Sequence, residues 1–427
     1  MIKSLLIRLK NNELIKTSFL TGIGTIITQV SGLIVVKTIA VTLGSAGVAM
    51  ISQFVDFITM STSIATGGIQ QGVVKYVAQY KDDQNKLSKV LSTSLIITLV
   101  STLFFGLIIF LSSNYLSIYL FQTNIYSYIL KIFAVNIILF GFNTLLIKIL
   151  NGIGEIKKLV MVNISNSLFG LFLTLIGLYL YGLPGVLLAL SISQSICFFI
   201  SLLFVTKSKW YQKKLFNSGV DRINVLRLLA FTAMGICSLV LTPFVNIRIR
   251  NYIIDHLSIN DAGLWSGMLK LSNSYLGIIT ITLSYYYLPK LSRLTNKLEI
   301  RREIFQGQKI VLPVLFIMLL VIYLLREQII ALIYSYDFLE MKYLFLPQLI
   351  GDFLKISSFF LSYLMLAKAK TTEFIVSSII FAFITYFISI FLINRFGLIG
   401  VVYAHPIVYL LYFCTMIYLL REYVYAK

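Results

Sequence analysis

Apolar runs of about twenty residues recur along this chain from one end to the other, and that recurrence decides what it can fold into. A run of that length crosses the hydrocarbon core of a bilayer as an α-helix. Inside hydrocarbon, backbone that is neither helix nor closed barrel leaves its polar groups unpaired. Hydropathy and turn signals divide the 427 residues into about twelve such spans: 15–41, 46–74, 90–112, 125–149, 158–181, 185–206, 226–250, 261–288, 303–325, 342–367, 373–394 and 399–420. Only 12% of the residues are charged and 58% are hydrophobic, whereas a soluble domain carries about 25% charged residues. The fold class is therefore an all-α polytopic membrane protein, with connections too short to hold a further soluble domain. Lys3, Arg8, Lys10 and Lys16 precede the first apolar run in the manner of a secretory leader. That run is too long for a leader and no small-residue cleavage site follows it, so it reads as a retained first helix.

A net charge of +20 would suggest nucleic acid as the partner of a soluble protein. Here the positive-inside rule absorbs it, and no nucleic-acid partner is expected. With the N-terminus inside, both termini and the connections near 75–89, 148–158, 207–227, 290–302 and 368–370 hold 26 of the 36 lysines and arginines. Arg248, Arg250, Arg326, Lys342 and Arg395 fall on the opposite side, and Lys37, Lys131, Lys270, Lys309 and Lys355 fall within spans. Both termini are expected in the cytoplasm. The longest basic connection, WYQKKLFNSGVDRINV at 210–225, separates two sets of six spans. The expected organisation is an N-terminal six-helix bundle at 1–206, a cytoplasmic linker at 207–225 and a C-terminal six-helix bundle at 226–427. The second span of each half opens on Ala-Gly, at Ala46–Gly47 and Ala262–Gly263, as parallel repeats would.

Those two spans also carry polar stripes. Ser52, Asp56, Thr59, Ser63, Thr66 and Gln70 follow one another at spacings of 4, 3, 4, 3 and 4; Ser266, Lys270, Asn273, Gly277, Thr280 and Ser284 repeat the same spacings. Each set is one face of a helix. Hydroxyls and glycines on such a face are accounted for by close helix packing. The charges are not, because each costs about 2.5–3.5 kcal/mol near the bilayer centre. Asp56, Lys270, Asp352 and Lys355 therefore point to a functional interior. Lys37, Arg250, Lys270 and Lys355 outnumber Asp56 and Asp352, a sign that suits an anionic, hydroxylated cargo. Ser52, Thr59, Ser63, Gln70 and Lys309 are the expected lining; Lys37, Arg250, Lys270, Asn273 and Lys355 are the expected substrate-binding set. Asp56 and Asp352 are candidates for ion coupling or charge pairing, and Asp352 and Lys355, three residues apart, for neutralising each other. Lys131 reads as a lysine snorkelling to the interface.

Cys197, Cys237 and Cys414 are far apart in apolar runs, and His256 and His405 are isolated, so neither a disulfide framework nor a metal site is indicated. Both histidines read as structural or interfacial. No Walker motif is present, so direct use of ATP by this chain is not expected.

GVVKYVAQYKDD (72–83), GLWSGMLKLSNSYLGIIT (263–280), YYLPKLSRLT (286–295) and LIGDFLKISSFFLSYLMLAKAK (349–370) resemble, in the same order, segments of the Wzx-type lipid-linked oligosaccharide flippases, the O-antigen and enterobacterial common antigen translocases. The resemblance implies the fold of the multidrug, oligosaccharidyl-lipid and polysaccharide exporter superfamily: two six-helix bundles around a central cavity. It also implies a polyprenyl-pyrophosphate oligosaccharide as cargo, moved from the cytoplasmic to the periplasmic leaflet of a bacterial inner membrane. Asp352, Lys355, Lys309 and Arg250 stand where such relatives carry charge; Asn273 stands where they carry an acid. No cofactor is implied beyond proton or sodium coupling. The implied partners are membrane lipid and the glycan polymerase and chain-length machinery, with the flippase itself a monomer. Two other readings compete. A cation-coupled multidrug exporter of the same superfamily would favour an acidic interior. A membrane-embedded glycan polymerase or ligase would need a large outer loop with reactive groups, and the connections near 251–260 and 326–342 are short.

Overall fold

The computed structural model describes residues 13–283, 287–368 and 370–425; Lys3, Arg8, Lys10 and Ser284 lie outside them. In chain order the helices are α1 (Glu13–Ala65), α2 (Gln70–Tyr80), α3 (Gln84–Leu111), α4 (Ser113–Phe121), α5 (Ser127–Ile153), α6 (Ile156–Thr206), α7 (Arg222–Leu229), α8 (Thr232–His256), α9 (Ile259–Thr282), α10 (Leu288–Arg293), α11 (Lys297–Leu324), α12 (Arg326–Ile333), α13 (Phe345–Ala367), α14 (Thr371–Phe396), α15 (Leu398–Leu419) and α16 (Arg421–Val424). Short 3-10 turns occupy Lys213–Phe216 and Tyr336–Leu344.

Eight helical stretches are long and apolar enough to cross a membrane. Two of them, α1 and α6, are each a pair of spans, because the backbone leaves the helical region at Gly44 and at Gly182. With α8 and α9, of 25 and 24 residues, the described residues hold about twelve membrane-length segments. Short polar side chains start several of them: Asp83 accepts from the Lys86 N–H, Ser258 from that of Asp261 and Asn296 from that of Leu298.

Two boundaries differ from those read in the sequence. The second span stops at Ala65 rather than 74. Gly67 and Gly68 take φ of 68° and 65°, and their N–H groups donate to the carbonyls of Ile64 and Ser63. That is a C-terminal turn glycine enters without strain. From Gly44 to Ala65 the helix already rises about 30 Å, so α2 is a separate element. The seventh span starts at Thr232 rather than 226, because Arg222–Leu229 is its own short helix capped by Asp221. The end expected for the eighth span, at 288, lies past residues 284–286, which are outside the described residues.

The chain forms two compact units. One holds the chain up to Val35 together with Phe57–Val240; the other holds Val36–Asp56 together with Leu241 onward. The segment read as a linker is part of the first. Leu215 and Leu228 are buried in one cluster with Ile69, Val73, Val77, Leu87 and Leu145. Hydroxyls on α3 hold its backbone: Ser88 donates to the Leu215 carbonyl at 3.0 Å, while Ser92 and Thr93 accept from the N–H groups of Ser218 and Asp221 at 2.9 and 3.1 Å.

The second unit takes in 36–56, a stretch the sequence reading placed in the N-terminal bundle. Gly263 lies directly against the Ser45 carbonyl, and the Ser45 hydroxyl donates to Asn260 Oδ1 at 2.9 Å. The two Ala-Gly openings thus mark one close helix crossing.

Candidate functional site

Two clusters in the second unit gather the charges that the sequence places inside spans. The first surrounds Arg250 on α8, whose side chain is 2% exposed. Its Nη2 lies 2.9 Å from Asp56 Oδ2, its Nη1 donates to Gln53 Oε1 at 2.7 Å and its Nε donates to Ser266 Oγ at 2.8 Å. The Trp265 ring lies 5.6 Å from the guanidinium carbon. Gln53 passes the chain on, donating to Asn251 Oδ1 at 2.5 Å. The planar fork of an arginine suits such a cage. Arg250 is therefore not the open cation expected for substrate binding: burial forces it onto Asp56, and of the two roles offered for Asp56 charge pairing is the one seen. Ser266, at the head of the second stripe, is part of the cage.

The second cluster surrounds Asp352 on α13, which is 0% exposed. Its Oδ2 accepts from Ser272 at 2.8 Å and from the Tyr275 hydroxyl, both on α9. Its Oδ1 accepts from Gln348 at 3.2 Å and pairs with His405 Nε2 of α15 at 2.9 Å. Ser272–Asp352 and Tyr363–Thr280 contacts show that α9 and α13 run in the same direction. Lys355 acts on Asp352 through charge alone and makes no direct ion pair with it; its ammonium sits 5.7 Å from the Tyr409 ring centroid. His405 is thus more than an isolated structural histidine. His256, by contrast, stacks on Tyr252 and bonds that residue's carbonyl at 3.1 Å.

Lys37 also has a local duty. Its Nζ donates to the carbonyls of Leu332 at 2.5 Å and Ala331 at 3.3 Å, capping the C-terminus of α12 where carbonyls lack helical partners. It is not an open substrate ligand. Lys270, Lys309 and Lys355 form no ion pair among the described residues. Lys270, Asn273 and Lys309 are exposed and Lys355 is half-buried. Lys270 and Lys355 each stand about 15 Å along their helices, near the middle of α9 and α13.

The stripe on the second span divides. Thr59 is exposed and Ser52 half-buried. Ser63 and Gln70 are 4% and 9% exposed, with Ser63 donating to the Thr59 carbonyl and Gln70 to Thr66 Oγ1. The Gly67–Gly68 turn takes Gln70 off the helix that carries the other stripe residues. Ser63 and Gln70 therefore serve packing rather than lining. Gln53, Ser272, Tyr275, Gln348 and His405 are absent from the sequence-derived set. They lie off the stripes, and only contacts between helices distant in sequence reveal them.

The fold is that of a transporter of the MOP superfamily. An inward-facing multidrug resistance MATE family transporter superposes with a TM-score of 0.78 at 14% identity, over 95% of this chain and 96% of that one. The lipid II flippase MurJ, in an inward closed conformation, superposes with a TM-score of 0.71 at 18% identity, over 95% and 87% of the two chains. Sequence narrows the class. Residues 14–295 match the family described as polysaccharide biosynthesis protein. The lipid III flippases of Escherichia coli (strain K12) and Shigella flexneri are each 30% identical over 410 residues, 96% of this chain and 99% of theirs. The chain belongs to the polysaccharide biosynthesis protein family, and is a multi-pass membrane transporter rather than an enzyme.

Proposed function

We propose that this protein flips a polyprenyl-pyrophosphate-linked oligosaccharide, an O-antigen or related surface-glycan unit, from the cytoplasmic to the periplasmic leaflet of a bacterial inner membrane. The observation that carries the reading is the 30% identity to lipid III flippases across 96% of the chain. The chemistry of the second unit agrees with it. Lys270 and Lys355 are cations near mid-helix that make no direct ion pair among the described residues, and Asn273 beside Lys270 offers an amide to sugar hydroxyls. A lysine is a compact point charge with three donors, suited to a diphosphate whose orientation changes as it moves.

The sugar and diphosphate cannot cross about 30 Å of hydrocarbon unaided. Alternating access exposes one binding site to each side in turn and leaves the polyprenyl tail in lipid. Moving a dianion outward down an inside-negative potential of about 100 mV releases roughly 4–5 kcal/mol. Asp56 and Asp352 remain the acids through which a proton or sodium ion would couple. Asp56 is paired with Arg250 and Asp352 is enclosed by four hydrogen-bond donors, while Lys270 and Lys355 make no direct ion pair, which favours an anionic cargo over a cationic drug. Partnership with glycan polymerase and chain-length proteins belongs to the same reading, as does action as a monomer.

The test is flipping of a fluorescent polyprenyl-diphosphate sugar in proteoliposomes. Lys355→Ala abolishes it while the protein remains folded, and Lys355→Arg retains part of it. Full flipping by a Lys355→Ala, Lys270→Ala double variant overturns the site. Accumulated lipid in a null strain that carries no diphosphate sugar overturns the cargo.

A further inference from the structure

We propose that His405 is a positioning residue that keeps Lys355 unpaired, by occupying on Asp352 the acceptor position Lys355 would otherwise take. The inference rests on the reading of Lys355 as an anion-binding group.

Asp352 and Lys355 both lie inside α13, three residues apart, a spacing at which opposite charges on a helix can meet. They attract one another through charge but make no direct ion pair. The carboxylate is already filled. An ionised aspartate offers about four lone-pair positions, and Ser272, Tyr275, Gln348 and His405 supply four donors, two to each oxygen. No position remains for Lys355.

Of the four donors, His405 is the one whose place is most visibly prepared. Gly351, the residue before Asp352, has no Cβ, and its face lies directly against the His405 ring and the Pro406 nitrogen. The imidazole also holds the surface on which Lys355 rests. His405 meets the Tyr409 ring edge-on at 4.8 Å between centroids, and Lys355 lies over that same ring. One histidine therefore fills the acid and orients the aromatic ring that receives the lysine. Removing its N–H opens a position on Oδ1 one helical turn from Lys355, and the i,i+3 pair then closes.

The test reads Lys355 directly, without cargo. The purified protein is treated with an amine-modifying reagent and modification at Lys355 is followed by mass spectrometry, with exposed Lys309 as the internal control for fold. In the wild type Lys355 reacts. In His405→Ala it slows by about tenfold, the equivalent of about 1.4 kcal/mol. His405→Gln, which keeps a side-chain donor, reacts at close to the wild-type rate. His405→Ala combined with Asp352→Asn, which removes the competing charge, regains reactivity; a merely structural role for His405 would not give that rescue. Equal Lys355 rates in wild type and His405→Ala overturn the proposal and leave the cargo reading standing. The expected slowing, together with undiminished flipping by Lys355→Ala, upholds the positioning and overturns the anion-binding role.

Discussion

Arg250 and Asp56 meet at 2.9 Å, the arginine side chain 2% exposed and the aspartate 20% exposed. That inequality sets which partner is harder to lose. Asp56→Leu strands a fully enclosed cation, while Arg250→Met leaves an acid that is less enclosed. Removing one partner of a buried pair costs about 3–5 kcal/mol. Thermal unfolding in detergent should show the larger loss for Asp56→Leu and recovery in the double variant. Equal losses would mean that Asp56 is as enclosed as Arg250.

Topology follows from charge. Single cysteines at Asn217 and Lys297 are expected to resist an impermeant thiol reagent added outside, and one at Ser258 to react. Labelling at Asn217 without labelling at Ser258 reverses the orientation and the direction of transport.

The stripe on the second span should react unevenly. A cysteine at Thr59 is expected to be modified by a small water-soluble thiol reagent, while cysteines at Ser63 and Gln70 stay protected. Comparable reactivity at all three would restore the single polar face that the spacing suggests.

Glu422 on α16 pairs with Lys297 at 2.9 Å and Lys370 at 2.8 Å. Its hydrogen bond to Lys370, then that to Lys297, draws its pKa from 4.5 to about 2. A depressed carboxylate pKa contributes stability above the unfolded value and loses it as pH falls toward the folded one. The difference in unfolding temperature between wild type and Glu422→Gln should be constant above about pH 5.5 and vanish between pH 4.5 and 2. Its screening by salt should be strong, because Glu422 and Lys297 are open to solvent. A difference that persists at pH 2 would assign the effect to packing.

Gly351→Ala places a methyl group in the His405 ring. Overpacking of this kind costs about 1–3 kcal/mol, read as a lower unfolding temperature, and the displaced imidazole leaves Asp352 short of a donor. A neutral substitution would show that the α13–α15 crossing has slack.

Much of the fold was legible in the sequence because span length and turn residues are local properties. The breaks at Gly44 and Gly182 fall where the apolar runs divide. The stop at Gly67–Gly68 was missed because hydropathy continues through Ile69 into Val73 and Val74, and only φ distinguishes one long helix from two. For the candidate site, spacing put Lys270 and Asn273 on α9 and Asp352 and Lys355 on α13. Pairing was not legible. Asp56 reaches Arg250 and Asp352 reaches His405 across large sequence separations, and a helical wheel contains no information about which helix stands opposite.

Leu215 and Leu228 have a consequence for biosynthesis. Both fill the same interior as Ile69, Val73 and Leu145, and both follow the sixth span in the chain. The first unit cannot finish its packing while those six spans are entering the bilayer; it closes when translation has passed residue 228 and the segment folds back against α2, α3 and α5. A nascent chain arrested just after Thr206 would hold six inserted helices with an open seam among α2, α3 and α5. The connection between the halves acts as the last stone of the first.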